Sequence, residues 1–81
     1  MATHQLQVLV ATVSETLFNG AAESVTVPGS GGEMTVLANH EPIITTLKPG
    51  TLKVRAEGET KEFPVTGGVL EISNNTVNIL L

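Results

Sequence analysis

The sequence predicts an all-β domain, a two-layer sandwich or flattened barrel of short strands, and three observations carry that expectation. Val, Ile and Thr together supply 25 of the 81 residues, and β-branched side chains suit a pleated, half-buried surface better than a helix. From Val27 to Gly50, VPGSGGEMTVLANHEPIITTLKPG, prolines and glycines recur so closely that no run between them is longer than a strand. Leu52, Val54 and Ala56 alternate with Lys53, Arg55 and Glu57, the period of two that puts one face on a core and the other in water.

In chain order, Leu6, Val8 and Val10 alternate with Gln7 and Leu9 as a first strand. Val13 to Asn19 forms a second, reversed at Asn19-Gly20. Ser24 to Val27 then puts Val25 and Val27 on one face, and Met34 to Leu37 follows the glycine cluster. Ile43 to Leu47 is the next apolar run. Pro49-Gly50 suits the central positions of a type II turn, because proline fixes φ and glycine accepts a positive one. The alternating strand from Leu52 reverses at Glu57-Gly58-Glu59 into Lys61 to Val65, where Phe63 and Val65 point inward and Pro64 marks an edge or bulge. Val69 to Ile72 and Val77 to Leu81, joined by Ser73-Asn74-Asn75, complete a single domain over residues 1–81.

Composition narrows the functions open to such a domain. A chain of this size buries roughly 60% of the surface its unfolded form exposes, so the core is adequate but small. No apolar run reaches membrane-spanning length, and the first residues lack the basic start of a secretory signal. Without cysteine there is neither a disulfide framework nor thiolate chemistry. All four basic residues, Lys48, Lys53, Arg55 and Lys61, lie in the second half, whereas Glu15, Glu23, Glu33 and Glu41 occupy the first. A surface built mainly from the first half is therefore expected to be acidic and to attract a basic partner. A net charge of −4 and two aromatic residues argue against nucleic-acid binding, which uses basic stripes and stacking platforms.

Catalytic and cofactor chemistry find no constellation. Gly29-Ser30-Gly31-Gly32 leads into Glu33 and a strand, without the lysine, hydroxyl residue and helix start of a phosphate loop. Gly67-Gly68 reads as close packing between strands. Two histidines 36 positions apart, with no aspartate and no cysteine, make no metal set, and His40 beside Glu41 lacks further ligands. No aspartate is present to orient a histidine for nucleophilic catalysis, and Glu57 and Glu59 flank a solvated turn. Neither Lys48 nor Lys61 has the flanking residues of a lipoyl or biotinyl lysine. The expectation is a protein-binding domain with no catalytic residue, no metal and no cofactor. The alternative is a free-standing β-sandwich that binds a carbohydrate or small ligand, against which the absence of Trp and Tyr argues.

A succession of motifs then adds a family. Leu17-Phe18-Asn19-Gly20, Val25-Thr26-Val27-Pro28-Gly29, Gly32-Glu33, His40-Glu41-Pro42-Ile43-Ile44-Thr45, Lys48-Pro49-Gly50, Thr66-Gly67-Gly68-Val69-Leu70-Glu71-Ile72 and Asn75-Thr76-Val77-Asn78-Ile79-Leu80 run along essentially the whole chain. Together they closely resemble the N-terminal domain of the epsilon subunit of F-type ATP synthases. The resemblance implies a flattened β-sandwich of about ten, mainly antiparallel strands, a rotor component without an active site that joins the gamma subunit to the c ring. It implies a c-ring contact through Ser30, Gly31, Gly32, Glu33 and His40, with Glu33 suited to an arginine that the family's c-ring loops carry. It likewise implies a gamma contact through His40, Pro42 and Thr45. It places the domain at the cytoplasmic face of the plasma membrane if the source is bacterial, within the synthase and not inserted in the bilayer. The family's two-helix C-terminal domain, which carries inhibition and in some members ATP binding, has no counterpart in this sequence, so no nucleotide binding is expected. Two departures stand out: Thr35 replaces a usual glycine, and Ala38-Asn39 replaces a usual proline-glycine. Asn39 can take the positive φ that a glycine would supply. Thr35 cannot do so cheaply, which predicts a local backbone change after Glu33.

Overall fold

Thr12 sets the first reversal, and with it the register of the first hairpin. Its hydroxyl accepts hydrogen bonds from the backbone N–H groups of Ser14 (3.2 Å) and Glu15 (3.1 Å), and its own N–H donates to the Glu15 carbonyl at 2.8 Å. The turn therefore closes between Ala11 and Thr16, leaving Val13 fully exposed. The computed structural model describes residues 5–81; His4 lies outside the described residues. Strand β1 (Leu6–Ala11) pairs antiparallel with β2 (Thr16–Ala22), so Asn19 and Gly20 lie opposite Leu9 and Val8 inside a strand. The turn expected at Asn19-Gly20 is not formed: the ladder to β1 overrides the local turn preference of that dipeptide.

Seven further strands follow: β3 (Ser24–Gly29), β4 (Gly32–Leu37), β5 (Ile43–Leu47), β6 (Gly50–Ala56), β7 (Glu59–Val65), β8 (Gly68–Ser73) and β9 (Thr76–Leu80). Nine strands, in line with the expected ten or so, and no helix occur among the described residues. The hydrogen-bonded order is β2-β1-β9-β8-β5-β3-β6-β7, with β4 on the free side of β3. One junction, Gly29 opposite Leu47, joins β5 to β3. The curled sheet thus divides into two layers, β2-β1-β9-β8-β5 and β4-β3-β6-β7. All pairings are antiparallel except β1 with β9, which brings the first and last strands side by side.

Burial follows the alternation. Leu52 and Val54 of β6, Val25 and Val27 of β3, Leu70 and Ile72 of β8, and Val77 and Ile79 of β9 are almost wholly enclosed. Their outward neighbours Lys53, Thr51 and Glu71 are exposed. The core is aliphatic, with Phe18 and Phe63 packed only at its margin and no buried polar residue among the described residues. Pro64 sits on β7, at the end of the strand order, where a missing N–H costs no ladder bond.

Two hairpins reverse through pairs of left-handed residues, Glu57-Gly58 (φ 55° and 78°) and Asn74-Asn75 (φ 51° and 60°), the type I′ geometry that matches strand twist. Pro49-Gly50 does not make the expected type II turn. Gly50 keeps a negative φ and begins β6, held where a Cβ would lie 2.9 Å from the Pro28 ring, while the Lys48 N–H donates to the Pro28 carbonyl at 2.8 Å. Thr35 stays in a regular ladder opposite Thr26, their hydroxyls 3.1 Å apart, so the backbone change expected after Glu33 does not occur. Asn39 does adopt the left-handed conformation, at φ 67°.

Asn39 is also tied across the domain. Its N–H donates to the Asn75 side-chain oxygen at 2.6 Å, and the Asn75 carbonyl accepts from the Gln7 N–H at 2.8 Å. Asn75→Ala is expected to lower the unfolding free energy by about 2 kcal/mol, from a strained left-handed alanine and a lost hydrogen bond. Asn75→Gly, which keeps the backbone conformation, should recover about half of that. Paired urea melts of the two variants measure the split.

Candidate protein-interaction site

The charge division seen along the sequence survives folding on one layer and is lost on the other. Pairing of β3 with β6 and of β5 with β8 interleaves the two halves. Arg55 Nε reaches Glu23 Oε1 at 3.1 Å, the one ion pair among the described residues. Both side chains are about half exposed, so that pair adds at most about 1 kcal/mol. The β4-β3-β6-β7 layer consequently carries both signs, whereas the strands of the β2-β1-β9-β8-β5 layer hold Glu71 and no basic residue.

The glycine-rich segment forms the β3–β4 hairpin tip. Ser30 and Gly31 turn the chain between the paired residues Gly29 and Gly32, and the Ser30 N–H donates to the Thr46 carbonyl at 3.0 Å, fastening the tip to β5. Glu33 is exposed on β4, opposite Pro28. It borders an open groove of about 460 Å³ formed with Pro28, Lys48, Gly50, Thr51, Lys53 and Glu62. Lys53 and Glu62 are cross-strand neighbours in the β6–β7 hairpin.

The other candidate residues lie elsewhere. His40 is half buried beyond the opposite end of β4 from the hairpin tip, its Nδ1 2.8 Å from the Glu41 carbonyl oxygen. With ~3.4 Å per residue, the four steps from Glu33 to the end of β4 alone cover about 14 Å. Ser30, Gly31, Gly32 and Glu33 are thus brought together, whereas His40 belongs to a different end of the domain. Pro42 lines a second, shallow groove with Ile43, Ile44, Glu71, Ile72 and Ser73. Thr45 is opposite the buried Leu70 and only half exposed, so the outward positions of β5 are Ile44 and Thr46.

Register extends this second surface. Thr46, Val69 and Leu80 form one row across β5, β8 and β9, and Ile44, Glu71 and Asn78 the next. Ile44, Val69 and Leu80 are 71%, 41% and 56% exposed, an apolar cluster on the outer face of one layer, while the other layer presents Glu33, Lys53 and Glu62. Neither groove contains an aromatic side chain. Lys48, Lys53, Glu62 and Ile44 escaped sequence reasoning. The tight Glu57-Gly58 reversal already implied the Lys53–Glu62 pairing, but nothing local could bring Lys48 to Pro28 and Glu33.

A two-layer sandwich with a glycine-rich tip and a mixed-charge groove is now defined, and a family model described as the β-sandwich domain of the ATP synthase delta/epsilon chain matches residues 5–81. The chain belongs to that family. It is 44% identical over 76 residues to the ATP synthase epsilon chain of Bordetella petrii, covering 93% of this chain and 54% of that one. It is 40% identical over 80 residues to the ATP synthase epsilon chain of Leptospira borgpetersenii, covering 99% and 63%. The chain therefore spans between about half and two thirds of the length of these epsilon-chain relatives. Among solved structures, a chain of the Euglena gracilis mitochondrial ATP synthase, in an assembly of OSCP, F1 and c-ring, superposes with a TM-score of 0.90 at 26% identity, over 99% of this chain and 52% of that chain. A chain of the Tetrahymena thermophila mitochondrial ATP synthase central stalk and c-ring, at 20% identity and a TM-score of 0.79 over 99% and 65%, shares the fold. The epsilon-chain sandwich of this family accounts for the motif order along the whole described chain.

Proposed function

We propose that this epsilon-family sandwich is a non-catalytic part of the rotor of an F-type ATP synthase, joining the gamma subunit to the c ring. One observation carries the reading: family membership over residues 5–81, with near-complete superposition on a chain from an assembly that includes F1 and the c-ring. The surfaces fit such a role. Ser30, Gly31, Gly32 and Glu33 project at the hairpin tip toward the c ring. His40, Pro42 and Thr45 define the segment that meets gamma, with Ile44 as its exposed apolar anchor. Close packing makes the body stiff enough to transmit torque. In a bacterium the domain works at the cytoplasmic face of the plasma membrane, held there by its partners.

Glu33→Lys tests the reading, because it reverses an exposed interfacial charge without touching the core. ATP-driven proton pumping in membranes carrying the variant should fall several-fold while the isolated chain melts within a few degrees of wild type. Unchanged pumping would remove Glu33 from the coupling interface.

A further inference from the structure

Strand β4 leaves one edge of its layer unpaired, and the hydrogen bonds of its neighbour fix which backbone groups that edge offers. The Pro28 carbonyl accepts the Lys48 N–H and the Ser30 N–H donates to the Thr46 carbonyl, so both groups point away from β4. Antiparallel ladders alternate, and Pro28, Thr26 and Ser24 therefore face β4 as pairs that exchange no hydrogen bond. Their partners Glu33, Thr35 and Leu37 turn N–H and C=O outward, while Met34 and Val36 bond to β3. All three outward residues are exposed. The edges β2 and β7 are guarded. Lys61 and Pro64 interrupt β7, and Lys61 Nζ lies 5.7 Å from the centre of the Phe18 ring on β2, which brings those two edges together. Strand β4 has no proline, no basic residue and no break in register.

From this edge we infer that a second copy of the chain pairs antiparallel with β4 about a two-fold axis through Thr35, continuing the β4-β3-β6-β7 layer into its mate. The edge is self-complementary in that register: Thr35 meets Thr35, and Glu33 meets Leu37 at each end. With about two bonds per pair, the three pairs supply about six backbone hydrogen bonds, whereas a slip of two residues loses one pair. A slip that set Glu33 against Glu33 would keep a single pair and oppose like charges. In the chosen register the two Glu33 residues stand about 14 Å apart along the strands, four steps at ~3.4 Å. That exceeds the ~8 Å screening length at physiological salt. Facing threonines add a favourable contact on the axis, and half-buried Met34 gains Val36 of the second copy as its cross-strand neighbour. So short a seam is weak, in the class of transient contacts below about 1,200 Å². It occupies the strand that carries Glu33, so self-pairing withholds unassembled chain from the rotor. The pairing itself does not depend on the rotor reading.

The test uses the full chain alone: sedimentation equilibrium and amide hydrogen exchange from about 10 µM to about 1 mM, the range in which weak complexes dissociate. The mass should rise toward that of a dimer across that range. Exchange of the Glu33, Thr35 and Leu37 amides should slow several-fold with it, while the Met34 and Val36 amides stay protected throughout. Leu37→Lys and Leu37→Glu remove the same side chain, 57% exposed, but set a cation or an anion opposite Glu33. Leu37→Lys should therefore pair at least tenfold more tightly than Leu37→Glu at about 0.05 M salt. Thr60→Lys and Thr60→Glu make the same net-charge changes on β7 and should pair alike. A chain that stays monomeric at about 1 mM overturns the inference. So does a dimer in which the three outward amides exchange as in the monomer, or one in which the Thr60 variants differ as much as the Leu37 variants. Each of those results leaves the rotor reading untouched. Thermal melts of the Leu37 variants, expected within a few degrees of wild type, separate lost pairing from lost fold.

Discussion

Gly68→Ala is expected to lower the unfolding free energy by about 3 kcal/mol or more. Gly68 opens β8 at φ 140°, a conformation that side-chain-bearing residues rarely adopt, and a Cβ there would stand 2.6 Å from the Leu80 carbonyl oxygen and 3.0 Å from the Leu81 side chain. The oxygen belongs to the adjacent strand and cannot rotate away, so strain and steric overlap act together. A domain of this length has roughly 4–12 kcal/mol of stability in total, and a loss of about 3 kcal/mol moves its melting point down by about 12–24 °C. Gly31 supplies the internal contrast: it has a negative φ, and no atom lies within 4 Å of where its methyl group would sit. Gly31→Ala should stay within about 0.5 kcal/mol of wild type. Thermal melts followed by circular dichroism report both.

Leu70→Ala is the second large effect, expected to cost about 2–5 kcal/mol. Leu70 is fully enclosed on β8, between Thr45 of β5 and Ile79 of β9. With no aromatic residue fully buried, Leu and Ile are the largest side chains the core possesses. Truncating one leaves a cavity that the neighbouring valines, short and stiff at χ1, fill poorly. Ile44→Ala, one register row outward on β5, removes a side chain that is 71% exposed and should change stability by no more than about 0.5 kcal/mol. Urea unfolding of the pair checks the contrast. Under the rotor reading, Ile44→Ala also weakens binding to gamma, an effect that stability measurements alone would not register.

Local patterns disclosed most of the fold. Ile43–Leu47 is a strand with the expected bounds, Leu52 and Val54 are buried with Lys53 outside, and Glu57-Gly58 reverses through two left-handed residues. The same local logic misled at Asn19-Gly20 and Pro49-Gly50, where contacts distant in sequence decide. β1 fixes Asn19 and Gly20 in a ladder, and Pro28 fixes the approach of Gly50. Thr35 likewise required no unusual backbone, because its partner Thr26 holds it in ordinary strand pairing.

The candidate surface was legible only in half. Ser30, Gly31, Gly32 and Glu33 are contiguous, so the chain presents them together at one tip. Lys48, Lys53 and Glu62 join them through three strand pairings, and their arrival converts a supposed acidic patch into a groove of both signs. His40 and Pro42 lie near each other in sequence, yet only Pro42 borders the second groove, and on the adjoining strand Ile44 and Thr46 are more exposed than Thr45 between them.

The chain contains no cysteine, which makes a single introduced thiol an unambiguous reporter of contact. Glu33→Cys, labelled with a short photoreactive group and assembled with gamma and the c ring, should give a cross-linked product containing a c subunit. Thr60→Cys on the β7 edge, treated identically, should give none. A c-subunit product from Glu33→Cys alone is the result the rotor account predicts; an assembled complex in which Glu33→Cys yields no such product, or no more than Thr60→Cys, would contradict it.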